Sequence, residues 1–165
     1  MTVDGLTDSG LVRMNDDQIR GFLSSQRVGV LGLPAEGPPT LRPLSFWFDG
    51  ESRIYFLYVF ASGERSRKEA LSERAGRARF LVYRVDTPFQ WTSVLLTGTI
   101  DEVLGDERDA VRDAMDMQWR PDLFERHSLS DSTELYRFEI EELVGIKQAD
   151  LPPEFEADTG ADRTK

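Results

Sequence analysis

Hydrophobic positions change their period several times along the chain, and each change marks an element. At Asn15-Asp16-Asp17-Gln18 a capping residue precedes a glutamine that can reach back to it. Ile19, Phe22 and Leu23 follow at helical spacing, which predicts a short helix ending near Ser25. Val28–Leu33 (VGVLGL) is apolar and valine-rich and predicts a buried strand, broken by Gly37-Pro38-Pro39. Leu41–Phe48 and Ile54–Phe60 predict two more strands, joined by a turn at Asp49-Gly50. In Phe46-Trp47-Phe48 and through Ile54–Phe60 the apolar residues do not alternate with polar ones. Successive side chains of a strand point to opposite faces, so both faces of these strands need cover. A barrel interior covers one face; a ligand, a helix or a second subunit has to cover the other.

Ser62-Gly63 opens a basic segment, Glu64-Arg65-Ser66-Arg67-Lys68, followed by a short predicted helix through about Arg74. Arg77–Val85 alternates in part and predicts a strand, interrupted at Thr87-Pro88. Ser93–Val103 predicts another, with Gly98 marking a bulge or a close approach. Asp106 caps a second helix in which Ala110, Val111, Ala114, Met115 and Trp119 form one stripe, and Pro121 ends it. Leu135–Ile140 and Leu143–Lys147 predict a last strand, bent at Glu141-Glu142. Residues 1–14 are small, polar and acidic and predict a flexible arm; residues 150–165 predict an acidic disordered tail. One domain, 15–149, remains. Five or six antiparallel strands with few helices outside them predict a mainly β (α+β) small barrel.

Composition narrows the chemistry. The 165 residues are 39% hydrophobic, enough for a core, and contain no cysteine, which excludes disulfides and thiolate metal sites. A multi-histidine metal site cannot be built from one histidine, so no metal is expected. A net charge of −10 has the wrong sign for nucleic acid. Seventeen of the 20 basic residues are arginine. Abundant acids with few lysines suit a surface solvated in high salt, and a GC-rich genome produces the same arginine bias. No segment reaches the roughly 18 to 20 apolar residues of a membrane helix, and MTVDGLTDSG lacks the basic start and apolar run of a signal peptide. The expectation is a cytoplasmic protein without membrane partners.

Candidate chemistry concentrates at three places. Arg65, Ser66, Arg67 and Lys68 stand where a strand gives way to a helix, and helix N-termini favour anions. That reads as a phosphate site, or as charges paired with Glu64, Glu69 and Glu73 on a solvated face. Arg42 lies inside an apolar strand beside Pro43, and a buried arginine needs either a ligand anion or an acid partner. Phe89-Gln90-Trp91-Thr92-Ser93 mixes aromatic and hydrogen-bonding groups suited to a flat heteroaromatic ring, with Ser45 and Tyr58 as further polar candidates in apolar strands. His127 has no nucleophile partner and reads as a surface or packing residue. Neither G-x-G-x-x-G after a strand nor G-x-x-x-x-G-K-[ST] occurs, so Rossmann and P-loop binding find no support.

In order along the chain, VGVLGL, Arg42-Pro43-Leu44-Ser45-Phe46-Trp47-Phe48-Asp49-Gly50, Ile54-Tyr55-Phe56, Ser66-Arg67-Lys68 and Trp91-Thr92-Ser93-Val94 with Gly98 resemble the FMN-binding split-barrel superfamily of pyridoxamine 5′-phosphate oxidase, from about Asp16 to Lys147. The resemblance implies a split antiparallel Greek-key β-barrel with a few flanking helices, and FMN at the interface of a homodimer. It places Arg42, Arg67 and Lys68, with Ser66, at the FMN phosphate. Pro43, Leu44, Ser45 and Tyr58 and the Trp91, Thr92, Ser93 stretch then lie by the isoalloxazine ring. It further implies an oxidoreductase acting on a small-molecule redox substrate, with no catalytic acid or base identified. The sequence departs from the pyridoxamine phosphate oxidases by ending in an acidic tail rather than a segment with substrate-binding Arg and His. It departs from the nitroimidazole-reductase relatives by carrying Leu57 and Tyr58 where they have a histidine. Alternatives are a deazaflavin-dependent reductase, or a non-catalytic sensor or carrier binding flavin (FMN or FAD) or haem.

Overall fold

The computed structural model describes residues 10–59, 77–119 and 133–149. In chain order these form β1 (Leu11–Arg13), α1 (Asp16–Ser25), β2 (Val28–Leu33), β3 (Thr40–Phe48), β4 (Arg53–Val59), β5 (Ala78–Thr87), β6 (Gln90–Glu102), α2 (Gly105–Trp119) and β7 (Thr133–Gln148). Helix α1 starts as its sequence dictates. The Asn15 side chain accepts the Gln18 amide at 2.9 Å and the Gln18 side chain accepts the Asn15 amide at 3.0 Å, a closed capping box.

The sheet runs β1-β7-β4-β3-β2-β5-β6, and a further pairing of β6 with β7 closes six strands into an antiparallel barrel, leaving β1 outside it. Strand β7 makes the closure. Its first half pairs with β4 (Ile54↔Phe138), nearly its whole length pairs with β6, and its end pairs with β1 (Val12↔Lys147). The β6–β7 register shifts between Thr97 (↔Glu142) and Gly98 (↔Ile140), so Glu141 is an extra residue on β7. This is the bend expected at Glu141-Glu142, and Gly98 lies at it. A Cβ on Gly98 would fall on the Glu139 carbonyl oxygen and the Phe138 ring, so only glycine lets the strands approach there.

Along the six barrel strands inward-facing residues alternate with outward ones, with a break at the Glu141 bulge of β7. Leu31, Phe46, Phe56, Phe80, Leu96, Tyr136 and Phe138 are essentially inaccessible and fill the barrel. The Phe46 and Phe80 rings meet edge-on, 5.4 Å between centroids. Helix α1 packs into the same core through Ile19 and Leu23, against Gly145, where a Cβ would strike Ile19 and Met14.

Three elements differ in extent from the sequence reading. Residues Leu11–Arg13, read as part of a loose arm, form β1, because β7 offers an edge to pair with. Strands β5 and β6 run on to Thr87 and from Gln90, so the interruption read at Thr87-Pro88 is a two-residue hairpin turn at Pro88-Phe89. The short helix expected after Lys68, and His127 and Pro121, lie outside the described residues.

Glycine substitutions test this packing. Gly98→Ala is expected to lower stability by about 1–3 kcal/mol through overpacking. Gly32→Ala, whose Cβ would make ordinary contacts of 3.5 Å or more, is expected to change stability by no more than about 0.5 kcal/mol. Urea unfolding of the two variants beside the parent checks both.

Candidate functional site

The non-alternating strands receive their second cover from a helix. Outward-facing Tyr55 and Leu57 on β4, Trp47 on β3 and Leu135 on β7 pack against Val103, Val111 and Met115, so α2 closes the outer face of β4 and β7. Glu107, in the first turn of α2, clasps the helix to the barrel. Arg137 Nη1 donates to both its carboxylate oxygens at 2.8 and 3.0 Å, and the Tyr55 hydroxyl donates at 3.4 Å. Asp101 and Glu139 flank Arg137 at 3.8 and 3.5 Å, and Arg53 holds Glu139 at 3.2 Å. Burial, and then the negative Glu107, push the Tyr55 hydroxyl above its ordinary pKa.

The opposite side of the barrel has no such cover among the described residues. Outward-facing Val28, Leu41, Tyr83 and Val85 on β2, β3 and β5 are each more than half exposed. Together with the half-buried Val30, Leu81 and Leu95 they make an apolar outer face.

The sequence-predicted site residues divide between two walls. On β3, Arg42 sits opposite Leu31, Pro43 opposite Val30, Leu44 opposite Gly29 and Ser45 opposite Val28. Arg42, Pro43 and Ser45 are exposed and Leu44 packs against the core. Arg42 therefore corrects the expectation of a buried arginine: it extends to solvent, and among the described residues no acid pairs with it. On β6, Trp91, Thr92 and Ser93 sit opposite Val85, Arg84 and Tyr83, all three half-buried. Strands β3 and β6 lie three strands apart in either direction round the barrel. The outward-facing members, Pro43 and Ser45 on β3 and Trp91 and Ser93 on β6, point away from each other, so one copy does not bring them together, while Arg42, Leu44 and Thr92 belong to the other face of their strands. Ser66, Arg67 and Lys68 lie outside the described residues.

Tyr58 faces into the barrel, buried, with its ring edge on Tyr136 at 6.4 Å between centroids. The Tyr136 hydroxyl donates to Glu134 at 3.1 Å. The sequence reading missed a second feature, a groove of about 430 Å³ on the apolar outer face, with Gly32, Val30, Leu81 and Leu95 in its lining and Arg79 beside them. The groove joins residues from four strands, and no local motif announces it.

The sequence model of the pyridoxamine 5′-phosphate oxidase family matches residues 15–147. The chain belongs to that family. No curated protein matches it. Among solved structures, an FAD-binding protein from Mesorhizobium loti superposes with a TM-score of 0.64 at 17% identity, covering 85% of this chain and 98% of its own. An FAD and haem binding protein from Mycobacterium smegmatis reaches 0.68 at 16% identity, over 93% of this chain and 81% of its own. A flavocytochrome from Azotobacter vinelandii reaches 0.65 at 18% identity, over 94% and 77%. At these identities the likeness is one of fold.

In this member of the oxidase family the buried tyrosine pair makes a prediction about pH. Burial, then the hydrogen bond to Glu134, then the charges of Glu134 and Glu102 hold the Tyr136 hydroxyl protonated far above the tyrosine range. The unfolded chain releases that proton near pH 10 while the folded one retains it, so stability is full below that pH and falls as pH rises through it. Tyr136→Phe should shrink the loss. The check compares urea midpoints of parent and variant on both sides of pH 10.

Proposed function

We propose that the chain binds FMN and acts as a flavin-dependent oxidoreductase working as a homodimer. The flavin would supply the redox chemistry, and the protein the binding, orientation and electrostatics. The observation that carries this reading is Arg42. It is exposed on β3 and free of any acid partner among the described residues, where an internal ion pair was the competing explanation. A free guanidinium in a chain of net charge −10 suits a bound phosphate. Ser66, Arg67 and Lys68, a little further along the sequence, would complete the phosphate site, and the exposed Pro43 and Ser45 would lie along the ring, whereas Leu44 and Tyr58 face the core and would support it only from behind.

Trp91, Thr92 and Ser93 occupy the far wall of the barrel. For both groups to reach one ring, β3 of one copy must face β6 of another. The exposed Val28, Tyr83 and Val85 lie between these walls and would be buried in such a pairing. The outer face of β3 and β4, which a second subunit could also have covered, is covered by α2 and gives no reason for a dimer. The divided site does. FAD is the second reading: it carries the same ring and first phosphate, and two of the similar structures are proteins that bind it.

The phosphate roles are separable from surface ion pairing. The double variant Arg67→Ala/Lys68→Ala removes two charge-assisted hydrogen bonds to one group and should cost roughly 2–4 kcal/mol, about 30- to 1,000-fold in FMN affinity. Arg42→Ala should also weaken FMN, by about tenfold or more. Riboflavin has the ring without the phosphate and should bind parent and variants alike. Small, equal shifts for both ligands would instead mark exposed ion pairs.

A further inference from the structure

Strand glycines cost stability and often stand where something must approach the backbone closely. Gly29, Gly98 and Gly145 are explained by packing, since a Cβ on any of them would collide with core atoms. Gly32 is not. Its φ is ordinary, and a Cβ there would meet Leu41 at 3.5 Å and the Arg79 carbonyl oxygen at 3.6 Å, both normal contacts. The fold has room for a side chain at Gly32, and its absence leaves the floor of the outer groove open.

The groove encloses about 430 Å³, at the small end of the range for small-molecule sites. Its walls are apolar and partly rigid, with Leu41, Leu81 and Leu95 beside Pro34 and Pro39. Two arginines stand at its edge and differ. Arg77 is held by Glu141 at 2.9 Å and Glu142 at 3.6 Å. Arg79, opposite Gly32 on the same face, makes no ion pair or side-chain hydrogen bond with any described residue. In a chain with 30 acidic residues, a cation without an acid partner beside an apolar groove complements a ligand that is apolar at one end and anionic at the other.

We infer that this groove binds a compact amphipathic anion, an aromatic or branched apolar body carrying one carboxylate, sulfonate or phosphate group. The body lies over Gly32 between Leu41 and Leu81, and the anionic group meets Arg79. Leu41 is followed two residues later by outward-facing Pro43, so the groove adjoins the proposed flavin strand without using Arg42, which lies on the other face of β3. The groove lies on the face that the proposed dimer would use, at the end away from Tyr83 and Val85, so the inference requires that end to stay open when two copies pair.

The test titrates the full-length chain with 8-anilinonaphthalene-1-sulfonate and with its uncharged relative N-phenyl-1-naphthylamine. Fluorescence gives affinity and calorimetry gives stoichiometry. One sulfonate probe per chain is expected. Arg79→Gln should weaken the sulfonate about tenfold and leave the neutral probe unchanged. Gly32→Leu should weaken both about tenfold or more by filling the floor. Gly32→Ala, which the fold accommodates, should weaken both to a smaller degree and serves if the leucine variant does not fold. Affinities unchanged in the glycine and arginine variants would overturn the inference. So would displacement of the probe by FMN, which would assign the groove to the flavin. Affinity that falls as protein concentration rises would overturn it too, since a second copy would then fill the groove.

Discussion

Everything in this barrel depends on one strand being paired along both edges. β7 runs sixteen residues, from Thr133 to Gln148, with β4 on one side of its first half and β6 along the other side. A flat strand of that length could not serve both neighbours, because closing a sheet requires it to bend. The extra residue Glu141, opposite the bare Cα of Gly98, supplies the bend. The closure decides which residues face inward, and thereby that Phe46, Phe56, Phe80 and Phe138 form one core. It also sets Arg137 beside Tyr55 and Asp101, where it can hold Glu107 and the start of α2.

The outside of the barrel is consequently unequal. On the β4–β7 side a helix, an aromatic pair and a charge network cover the sheet; the Trp47 and Tyr55 rings lie 5.5 Å apart beneath α2. On the β2–β5 side the outward residues, Arg79 apart, are apolar and uncovered among the described residues. The groove falls on this second side, as do the outward-facing members of the proposed flavin site, Pro43, Ser45, Trp91 and Ser93, with Arg42 at its rim. The proposed flavin site uses its two borders, β3 and β6, from different copies, and the groove over Gly32 occupies one end of it.

Three local signals in the sequence were legible to the residue, although the cap read at Asp106 falls inside the first turn of α2. The capping box at Asn15 and Gln18, the glycine at the bulge and the bend at Glu141-Glu142 all depend on near neighbours, and each reappears in the structure. The unbroken apolar run of β4 correctly demanded cover on both faces, yet it could not name α2 as that cover, since the partners are some fifty residues apart (Tyr55 and Glu107). Arg42 shows the limit most clearly. Its apolar neighbours suggested burial, but the strand carries it to the rim of the barrel, where its side chain is free to leave the core. The family could be named from ordered motifs, whereas the groove beside Arg79 could not be read, because four strands meet there without any local pattern.

The central claim is that the proposed flavin site is shared between two copies, and mixing two defective chains tests it most directly. One chain carries Arg42→Ala and the other Trp91→Ala together with Ser93→Ala, so that each alone has every site damaged. If β3 of one copy faces β6 of the other, a mixed dimer contains one intact site. FMN titration of the equilibrated mixture should then recover parent-like affinity at up to one site per mixed dimer. A mixture that binds FMN no better than the average of its two separate components would contradict the account.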